Sequence, residues 1–275
     1  MKSLPYLLPY LLLVALFGTV DPTYDLGLRG TEANQASNPR ARTPVVLELF
    51  TSEGCSSCPP ADALLARLEE QQPIPGAEII ALEEHVDYWD HQGWVDPFSS
   101  EQWTLRQQAY ASNFSDHGVY TPELVVNGRT GFVGSREREA RRAVSEATSQ
   151  PQTEVMVTPA KSEKHDHAVF NVSVAKLQGA QGGDTAEVWL AVTETALHSA
   201  VTRGENAGED LHHAAVVRWL HKVGAADSIA APAFTGQQEA KLDAGWKRPN
   251  LRVVAFVQEK RSRHILGAAS AHIEP

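Results

Sequence analysis

Cysteine is scarce in this chain of 275 residues, which contains only two, so a single disulfide is the most that one molecule can form. Basic residues are also in deficit, because 24 Lys and Arg stand against 34 Asp and Glu and give a formal charge of −10. No cluster rich in Lys or Arg is present. The sequence therefore argues against a nucleic-acid-binding protein and against an anionic membrane surface as a partner.

Long apolar runs are absent beyond the N-terminus. Lys2 precedes a mostly apolar run over 4–20, which is short for a membrane span and typical of a secretory signal peptide, here assigned to residues 1–20. An uncleaved anchor is the alternative. Residues 21–43 are polar without periodicity and are expected to form a flexible spacer. These features predict a periplasmic or secreted protein that contacts a membrane only if the leader is uncleaved.

The two cysteines lie where an apolar run gives way to a helical pattern. Residues 45–50 are mostly apolar, and apolar side chains recur over 61–68 at the spacing of one helix face. The pattern predicts a strand, a turn and a helix, with Cys55 and Cys58 at the turn and their Cα atoms about 5 to 6 Å apart. A helix N-terminus favours a thiolate, which is the form that attacks disulfides.

Three interpretations of this Cys-x-x-Cys remain open. Its position between a strand and a helix is typical of a redox pair. A local structural disulfide is the second interpretation, although a loop of two residues constrains the unfolded chain very little. Metal binding is the third, and two histidines would have to complete such a site. The expectation is no metal and no other cofactor. The two prolines after Cys58 leave the start of the helix undecided.

A second strand is predicted over 77–82 and leads into a polar and aromatic segment. In open α/β sheets, ligands bind beyond the carboxyl ends of the strands. His85, Asp87, Tyr88 and Trp89 are therefore predicted to lie near the cysteines and to bind substrate, with His85 placed to stabilise a thiolate. The alternative is that the segment only closes hydrogen bonds over the end of the sheet.

Four long motifs resemble one protein family. They are Glu-Leu-Phe-Thr-Ser-Glu-Gly-Cys-Ser-Ser-Cys-Pro-Pro-Ala-Asp at 48–62, the segment 85–98 that begins His-Val-Asp-Tyr-Trp-Asp, Val-Tyr-Thr-Pro at 119–122, and Arg-Gly-Glu-Asn at 203–206 followed by His213 and Val-Val-Arg at 216–218. Together they resemble DUF1223, a family of secreted, thioredoxin-like bacterial proteins of unknown function. The resemblance covers about residues 43–270.

The resemblance implies roles for further residues. Thioredoxin-like proteins place a residue, often Thr, and a cis-proline opposite the dithiol, which implies that Thr121 and Pro122 hold the substrate backbone. They also bury an acid beneath the dithiol, which makes Glu48 a candidate proton relay, although alternation along the strand would turn it to solvent. Cys55 is then the exposed nucleophile, and Cys58 resolves the mixed disulfide.

The elements over 44–150 are predicted in the order β-α-β-α-β-β-α, with a hairpin at Asn127-Gly128. The pattern changes at residue 151. Over 151–275 the expected strands are 153–158, 168–175, 186–195, 212–221, 251–258 and 265–271. We therefore expect an α/β thioredoxin-like domain followed by an all-β sandwich-like domain.

The expected function is an exported thiol–disulfide oxidoreductase that acts on protein or small-molecule thiols and disulfides and works with a redox partner protein. The alternative is a non-catalytic extracytoplasmic binding protein with a structural Cys55–Cys58 disulfide. Residues 202–206 and 212–213 are expected to form either a polar patch that faces the first domain or a plain loop.

Overall fold

Strands and helices alternate in the first half of the chain. The structure is a computed structural model that describes residues 42–114 and 118–273. Within these ranges the first seven elements are β1 (Thr43–Thr51), α1 (Pro59–Gln71), β2 (Ala77–His85), α2 (Glu101–Ala111), β3 (Glu123–Val126), β4 (Thr130–Val133) and α3 (Glu137–Ala147). The order of elements expected from the sequence is confirmed over this half.

The second half of the chain contributes strands and one short 3₁₀ turn. The strands are β5 (Val155–Ala160), β6 (His167–Val174), β7 (Ala186–Glu194), β8 (Leu197–Ala200), β9 (Asp210–His213), β10 (Val216–Ala226), β11 (Phe234–Lys241), β12 (Leu251–Glu259) and β13 (Ile265–His272). The strand expected at 212–221 is two strands, because Ala215 has a left-handed φ of 57° and breaks the pleat. The sequence pattern does not indicate β11, whose residues are mostly polar.

One sheet runs through both halves of the chain. Its strand order is β13-β12-β7-β10-β2-β1-β3-β4. β10 pairs in parallel with β2 where Val216 faces Glu83, and the Glu83 N–H donates to the Ala215 carbonyl at 3.0 Å. The expected fold class, an α/β thioredoxin-like domain followed by a separate β-sandwich, is therefore wrong. The physical reason is that β2 is not a free edge: β10 covers it and continues the sheet.

The core on the α2 side of this sheet mixes the two halves. Phe50 and Leu82 pack with Trp103 of α2 and with Leu220 and Phe256 from β10 and β12. The opposite face of β1 and β2 packs on α1 and α3. β5, β6 and β11 form a three-stranded sheet whose core is shared with β7 and β12. This shared burial joins the described halves into one structural unit.

The leader predicted at 1–20, and the spacer up to residue 41, lie outside the described residues. β1 begins at Thr43, the last residue assigned to the spacer. Within the described ranges, no helix has both the length and the apolar character that crossing a membrane requires.

Gly128 lies where the two halves touch. Asn127 and Gly128 have left-handed φ values of 45° and 63°, as the predicted hairpin turn requires. A Cβ at Gly128 would collide with the backbone carbonyl of Arg263. The glycine is therefore needed both for its φ and for the close approach of the two halves.

We expect Gly128→Ala to destabilise the protein more than the matched variant Gly76→Ala. Gly76 also has a positive φ, 79°, but an added Cβ would meet open space. Both variants carry a backbone strain of about 1 kcal/mol, and Gly128→Ala adds a collision that costs about 1–3 kcal/mol more. Urea unfolding measures the difference. Equal losses in the two variants would contradict the contact.

Candidate functional site

Cys55 and Cys58 form a disulfide at the junction of β1 and α1. β1 ends at Thr51, a turn follows, and Cys58 is the N-cap residue of α1. The two Cα atoms are 5.4 Å apart, within the range expected from the sequence. The predicted strand–turn–helix setting of the Cys-x-x-Cys is confirmed.

Two prolines change the chemistry of the α1 N-terminus. Cys58 has helical φ and ψ of −79° and −40° although a proline follows it, so α1 begins at Pro59. The prolines at the first two helical positions have no N–H to donate. The N–H groups of Ala61 and Asp62 both donate to the Cys58 carbonyl, at 2.8 and 3.2 Å. The first turn therefore offers a Cys55 thiolate less hydrogen bonding than the sequence argument assumes.

Cys55 is enclosed by the protein. Its Sγ lies 3.3 Å from the hydroxyl oxygen of Ser57. Both Cys55 and Cys58 have a relative exposure of 0%. The expectation of an exposed Cys55 is therefore wrong for the disulfide form, because a segment distant in sequence covers the turn.

That segment is the loop 203–206 from the second half. Ser56 donates to the Glu205 carboxylate through its N–H at 3.3 Å and its hydroxyl at 2.6 Å. The Asn206 side-chain amide donates to the carbonyls of Glu53 and Cys55 at 2.8 and 3.1 Å. Glu205 and Asn206 thus make polar contacts with the first half, as one of the two interpretations of residues 202–206 and 212–213 expects, whereas the His212 side chain is exposed.

Asp62 is the acidic side chain in the first turn of α1, the helix that Cys58 caps. It follows Cys58 by four residues and lies on the buried side of the helix. The Thr51 hydroxyl donates to its Oδ1 at 2.6 Å. Burial and the negative charge of Glu83 raise the pKa of Asp62 to about 7. Asp62 can therefore exchange a proton near neutral pH.

Thr121 is linked to the disulfide turn through the side chain of Trp89. The Thr121–Pro122 bond is cis, as the resemblance implies. The Trp89 indole donates to the Thr121 hydroxyl at 2.8 Å, and Trp89 Cβ is 3.1 Å from the position that a Cβ on Gly54 would take. Trp89 thus lies between Gly54, the residue before Cys55, and Thr121. The substrate-binding roles of Thr121, Pro122 and Trp89 stay predictions.

Asp87 and Tyr88 are held against α2. The Thr104 hydroxyl donates to Asp87 Oδ1 at 2.6 Å, and the Tyr88 hydroxyl donates to Gln107 Oε1 at 3.2 Å. Both side chains are half-buried. These bonds fix the segment on the helix, as the structural interpretation of this segment expects, and a substrate-binding role for Asp87 and Tyr88 stays a prediction.

His85 belongs to a buried group of two imidazoles and three carboxylates, which we call the imidazole cluster: Glu53, Glu83, His85, Asp96 and His213. His85 Nδ1 lies 2.7 Å from Asp96 Oδ2, and its Nε2 lies 3.3 Å from Glu83 Oε1. His213 Nδ1 lies 2.7 Å from Glu83 Oε1, and its Nε2 lies 3.1 Å from Glu53 Oε1. Every ring nitrogen therefore faces a carboxylate oxygen.

The charges of the imidazole cluster stabilise one another. Burial alone would lower the pKa of both histidines, but Asp96 and Glu83 raise the pKa of His85 well above its ordinary value. Glu53 and Glu83 likewise raise the pKa of His213 to about 9. Burial would raise the pKa of Glu83, yet the two histidines lower it to about 2. Among the described residues, Glu83, His85 and His213 have the chemistry and spacing to hold a metal ion.

A sequence profile described as a protein of unknown function, DUF1223, matches residues 46–258, which is most of the chain. The chain belongs to the DUF1223 family. The family expected from the sequence motifs is therefore confirmed. No curated protein matches the chain at a significant level.

Two solved structures share the fold of this DUF1223 protein. A protein from Agrobacterium tumefaciens, solved in a structural-genomics programme, is 24% identical with a TM-score of 0.62, over 85% of this chain and 96% of its own. HBP35 of Porphyromonas gingivalis is 20% identical with a TM-score of 0.62, over 84% of this chain and 76% of its own. At these identities the likeness concerns the fold alone.

Glu48 of the DUF1223 protein lies on the α2 side of the sheet. Arg106 Nε donates to Glu48 Oε2 at 2.6 Å, and the Tyr110 hydroxyl donates to Glu48 Oε1 at 2.5 Å. The amide of Gln258, from the second half, donates to the Tyr110 oxygen at 2.7 Å. These contacts join Glu48 to a buried cation and a phenol, and they give no support to its predicted role as proton relay.

Sequence reasoning missed most of the imidazole cluster. Glu53 lies in the motif 48–62, Asp96 in the motif 85–98, and His213 follows the motif 203–206. Membership in these family motifs was the signal that could have marked the three residues as functional. Glu83 directly precedes a motif. The contacts themselves depend on the pairing of β10 with β2, which brings the residues before β10 to the end of β2. A local sequence pattern carries no information about that pairing.

Proposed function

We propose that this protein is an exported thiol–disulfide oxidoreductase in which Cys55 and Cys58 alternate between dithiol and disulfide. The observation that carries the proposal is a disulfide at the start of α1 with the buried Asp62 one helical turn after Cys58. Export is supported by the leader-like sequence at 1–20 and by the disulfide, because disulfides persist in oxidising compartments.

A purely structural role accounts poorly for this bond. In the chain-entropy treatment, closing so short a loop stabilises a protein by about 2 kcal/mol, against about 4.7 kcal/mol for a loop of about one hundred residues. Leu47 and Leu49 of β1 already pack with Leu64 and Leu65 of α1 in one apolar core. The disulfide therefore stabilises this junction less than a bond that closes a long loop would, and the core already fixes the junction.

The exchange proceeds in two displacements. In the reducing direction, the Cys55 thiolate attacks a substrate disulfide, forms a mixed disulfide and releases the first substrate thiolate. The Cys58 thiolate then attacks the Cys55 sulfur, which releases the second substrate thiolate and forms the Cys55–Cys58 bond. The substrate gains two electrons and two protons. A redox partner protein or small thiol then supplies two electrons and two protons to the enzyme and reduces the Cys55–Cys58 disulfide again.

Asp62 is placed to accept the proton of the Cys58 thiol. The four-residue spacing puts both side chains on one face of α1. A base works best when its pKa is near the operating pH, and the pKa of Asp62 is about 7. Ionised Asp62 would help to form the Cys58 thiolate for the second displacement.

We expect Asp62→Asn to stabilise the protein at neutral pH while slowing exchange. A carboxyl group whose pKa rises on folding favours the folded state below its unfolded pKa, and this contribution is lost as the pH rises through about 7. Asparagine does not ionise. The variant should therefore have a higher Tm than wild type at about pH 8 and a similar Tm at about pH 4, both in buffer with EDTA.

The insulin-reduction rate of Asp62→Asn should fall on the order of 100-fold relative to wild type. A purely structural Asp62 would give the gain in Tm without the loss of rate, and that result would remove Asp62 from the proposed chemistry.

Insulin reduction in dithiothreitol tests the proposed function itself. Wild type should accelerate precipitation of the insulin B chain, and Cys55→Ser should remove the acceleration while its circular dichroism spectrum is unchanged. Glutathione disulfide is the small-molecule substrate in a parallel assay. Wild type that accelerates neither reaction would overturn the proposal.

Access to the disulfide requires the loop 203–206 to move. We expect Glu205→Ala to let dithiothreitol reduce the folded protein about threefold to tenfold faster, because the change removes the acceptor of both Ser56 donors, worth about 1 kcal/mol. Glu209→Ala is the matched control. Glu209 is exposed in the same segment between β8 and β9, and among the described residues its side chain makes no hydrogen bond or ion pair. Thiol trapping with mass spectrometry gives the rates, and equal rates in both variants would show that the loop does not limit access.

A second candidate function is a non-catalytic binding protein with an inert disulfide. The complete burial of both cysteines in the disulfide form favours it. Under this alternative, reduced wild type has no insulin activity, and replacing both cysteines by serine changes only the stability.

A further inference from the structure

We propose that Glu83, His85 and His213 form a binding site for a divalent transition-metal ion of the zinc type. The donor atoms are Glu83 Oε1, His85 Nε2 and His213 Nδ1, which all lie within 4.8 Å of one another. The two nitrogens lie 3.3 and 2.7 Å from the carboxylate oxygen. Ligands about 2.1 Å from a tetrahedral zinc ion are about 3.4 Å apart, so small outward shifts make room for the ion.

The sequence positions explain why these donors converge. Glu83 and His85 are two residues apart in β2, so their side chains leave the strand on the same face. His213 ends β9 and points inward, whereas its neighbour His212 points outward: their side chains are 1% and 75% exposed. A distant segment thus presents one imidazole to a pair of ligands already aligned on β2.

The outer nitrogen of each imidazole is held by a carboxylate. His85 Nδ1 is 2.7 Å from Asp96 Oδ2, and His213 Nε2 is 3.1 Å from Glu53 Oε1. Metal-binding histidines almost always donate their other N–H to such a partner, which fixes the tautomer and the ring orientation. Both rings of this site therefore have the second contact that a metal ligand normally has.

A further set of bonds fixes those carboxylates. The Glu53 N–H donates to Asp96 Oδ2 at 2.8 Å, and the Trp94 indole donates to Glu53 Oε2 at 2.7 Å. The Ala214 N–H donates to Glu83 Oε2 at 2.9 Å, which leaves Oε1 directed at the two rings. The donor atoms are thus oriented before any ion arrives.

The charge of the site suits a dication. Three carboxylates, from Glu53, Glu83 and Asp96, are buried around two imidazoles that are neutral when they bind a metal. A divalent ion supplies the positive charge that buried carboxylates require. Two imidazoles and one carboxylate are a ligand set that zinc and iron(II) use in proteins, with further positions left for water or another ligand.

The proposal is independent of the proposed redox function, because its ligands exclude both cysteines. The test uses the full chain in its disulfide form, stripped with EDTA, then given zinc sulfate and passed through a desalting column. Metal analysis should find about one zinc per chain, and the Tm should rise with zinc concentration as binding to the folded state requires. Cobalt(II) should give the visible absorption of a protein-bound ion.

Matched variants locate the ion. His213→Ala should lose the zinc and the Tm rise, whereas His212→Ala, one residue away on the exposed face, should keep both. Asp96→Asn and Glu53→Gln should weaken binding about tenfold to a hundredfold without removing a ligand. A chain with both cysteines changed to serine should still bind.

Several results would overturn the proposal. Wild type that retains no zinc and shows no cobalt spectrum would identify the cluster as a set of metal-free ion pairs. Zinc lost in His212→Ala and kept in His213→Ala would place the ion on the exposed face of β9. If His213→Ala fails to fold, the absorption of cobalt-loaded wild type still decides between a nitrogen-containing site and none.

Discussion

Arg106→Met should destabilise this protein by about 3–5 kcal/mol, which is a large part of the stability of most domains. Arg106 is buried and forms ion pairs with Glu48 and with Glu84, the latter at 3.4 Å. Its guanidinium also lies 5.6 and 5.5 Å from the ring centres of Trp189 and Phe256. Methionine keeps most of the apolar volume but leaves the Glu48 carboxylate, which is 0% exposed, without its cation. Burial raises the pKa of Glu84 well above its ordinary value, so Glu84 adds little charge at neutral pH. The loss therefore comes mainly from uncompensated buried charge.

The matched control is Arg142→Met. The Arg142 side chain is 73% exposed, and its nitrogen is 3.8 Å from Glu146, a surface pair that contributes less than about 1 kcal/mol. Adding Glu48→Gln to Arg106→Met should recover part of the loss, because it removes the buried charge that Arg106 neutralises. Urea unfolding gives all three values, and an Arg106→Met loss as small as that of Arg142→Met would contradict the account of this core.

Cys58→Ser should abolish turnover while Cys55 becomes covalently attached to its substrate. The first displacement needs only the Cys55 thiolate, but no second sulfur remains to break the mixed disulfide. Reduced Cys58→Ser incubated with glutathione disulfide should gain the mass of one glutathione at Cys55. Insulin reduction by the same variant should fall to the rate of dithiothreitol alone.

Cys55→Ser is the reciprocal control. It retains only Cys58, at the N-cap of α1, which is the resolving thiol of the proposed exchange, and it should form the adduct far more slowly. Faster adduct formation at Cys58 than at Cys55 would reverse the assignment of the two roles.

Local features of this fold were predictable because short-range physics determines them. The apolar run and the helical spacing around Cys55 gave β1 and α1, and Asn127-Gly128 gave the hairpin through its left-handed backbone. The motif resemblance, rather than any periodicity, gave the cis bond before Pro122. The β-rich second half was also visible, apart from β11, whose residues carry no apolar alternation.

Long-range pairing could not be predicted in the same way. β10 joins β2 through the single residue pair Val216–Glu83, and nothing in either strand alone specifies that partner. The same limit applies to Glu48. The strand pattern allows it to be buried, but nothing in that pattern identifies Arg106 of α2 as its partner. The imidazole cluster and the loop over Cys55 depend on the pairing of β10 with β2, so only the folded structure shows them.

In the proposed function, Cys55 and Cys58 interconvert between disulfide and dithiol while the protein stays folded. The most direct measurement equilibrates the chain in dithiothreitol buffers of graded redox ratio, traps the thiols by alkylation and counts the labels by mass spectrometry. We expect one reversible transition that adds both labels together, while circular dichroism shows an unchanged fold. Cysteines that become reducible only in denaturant would rule out exchange in the folded protein and identify the bond as structural.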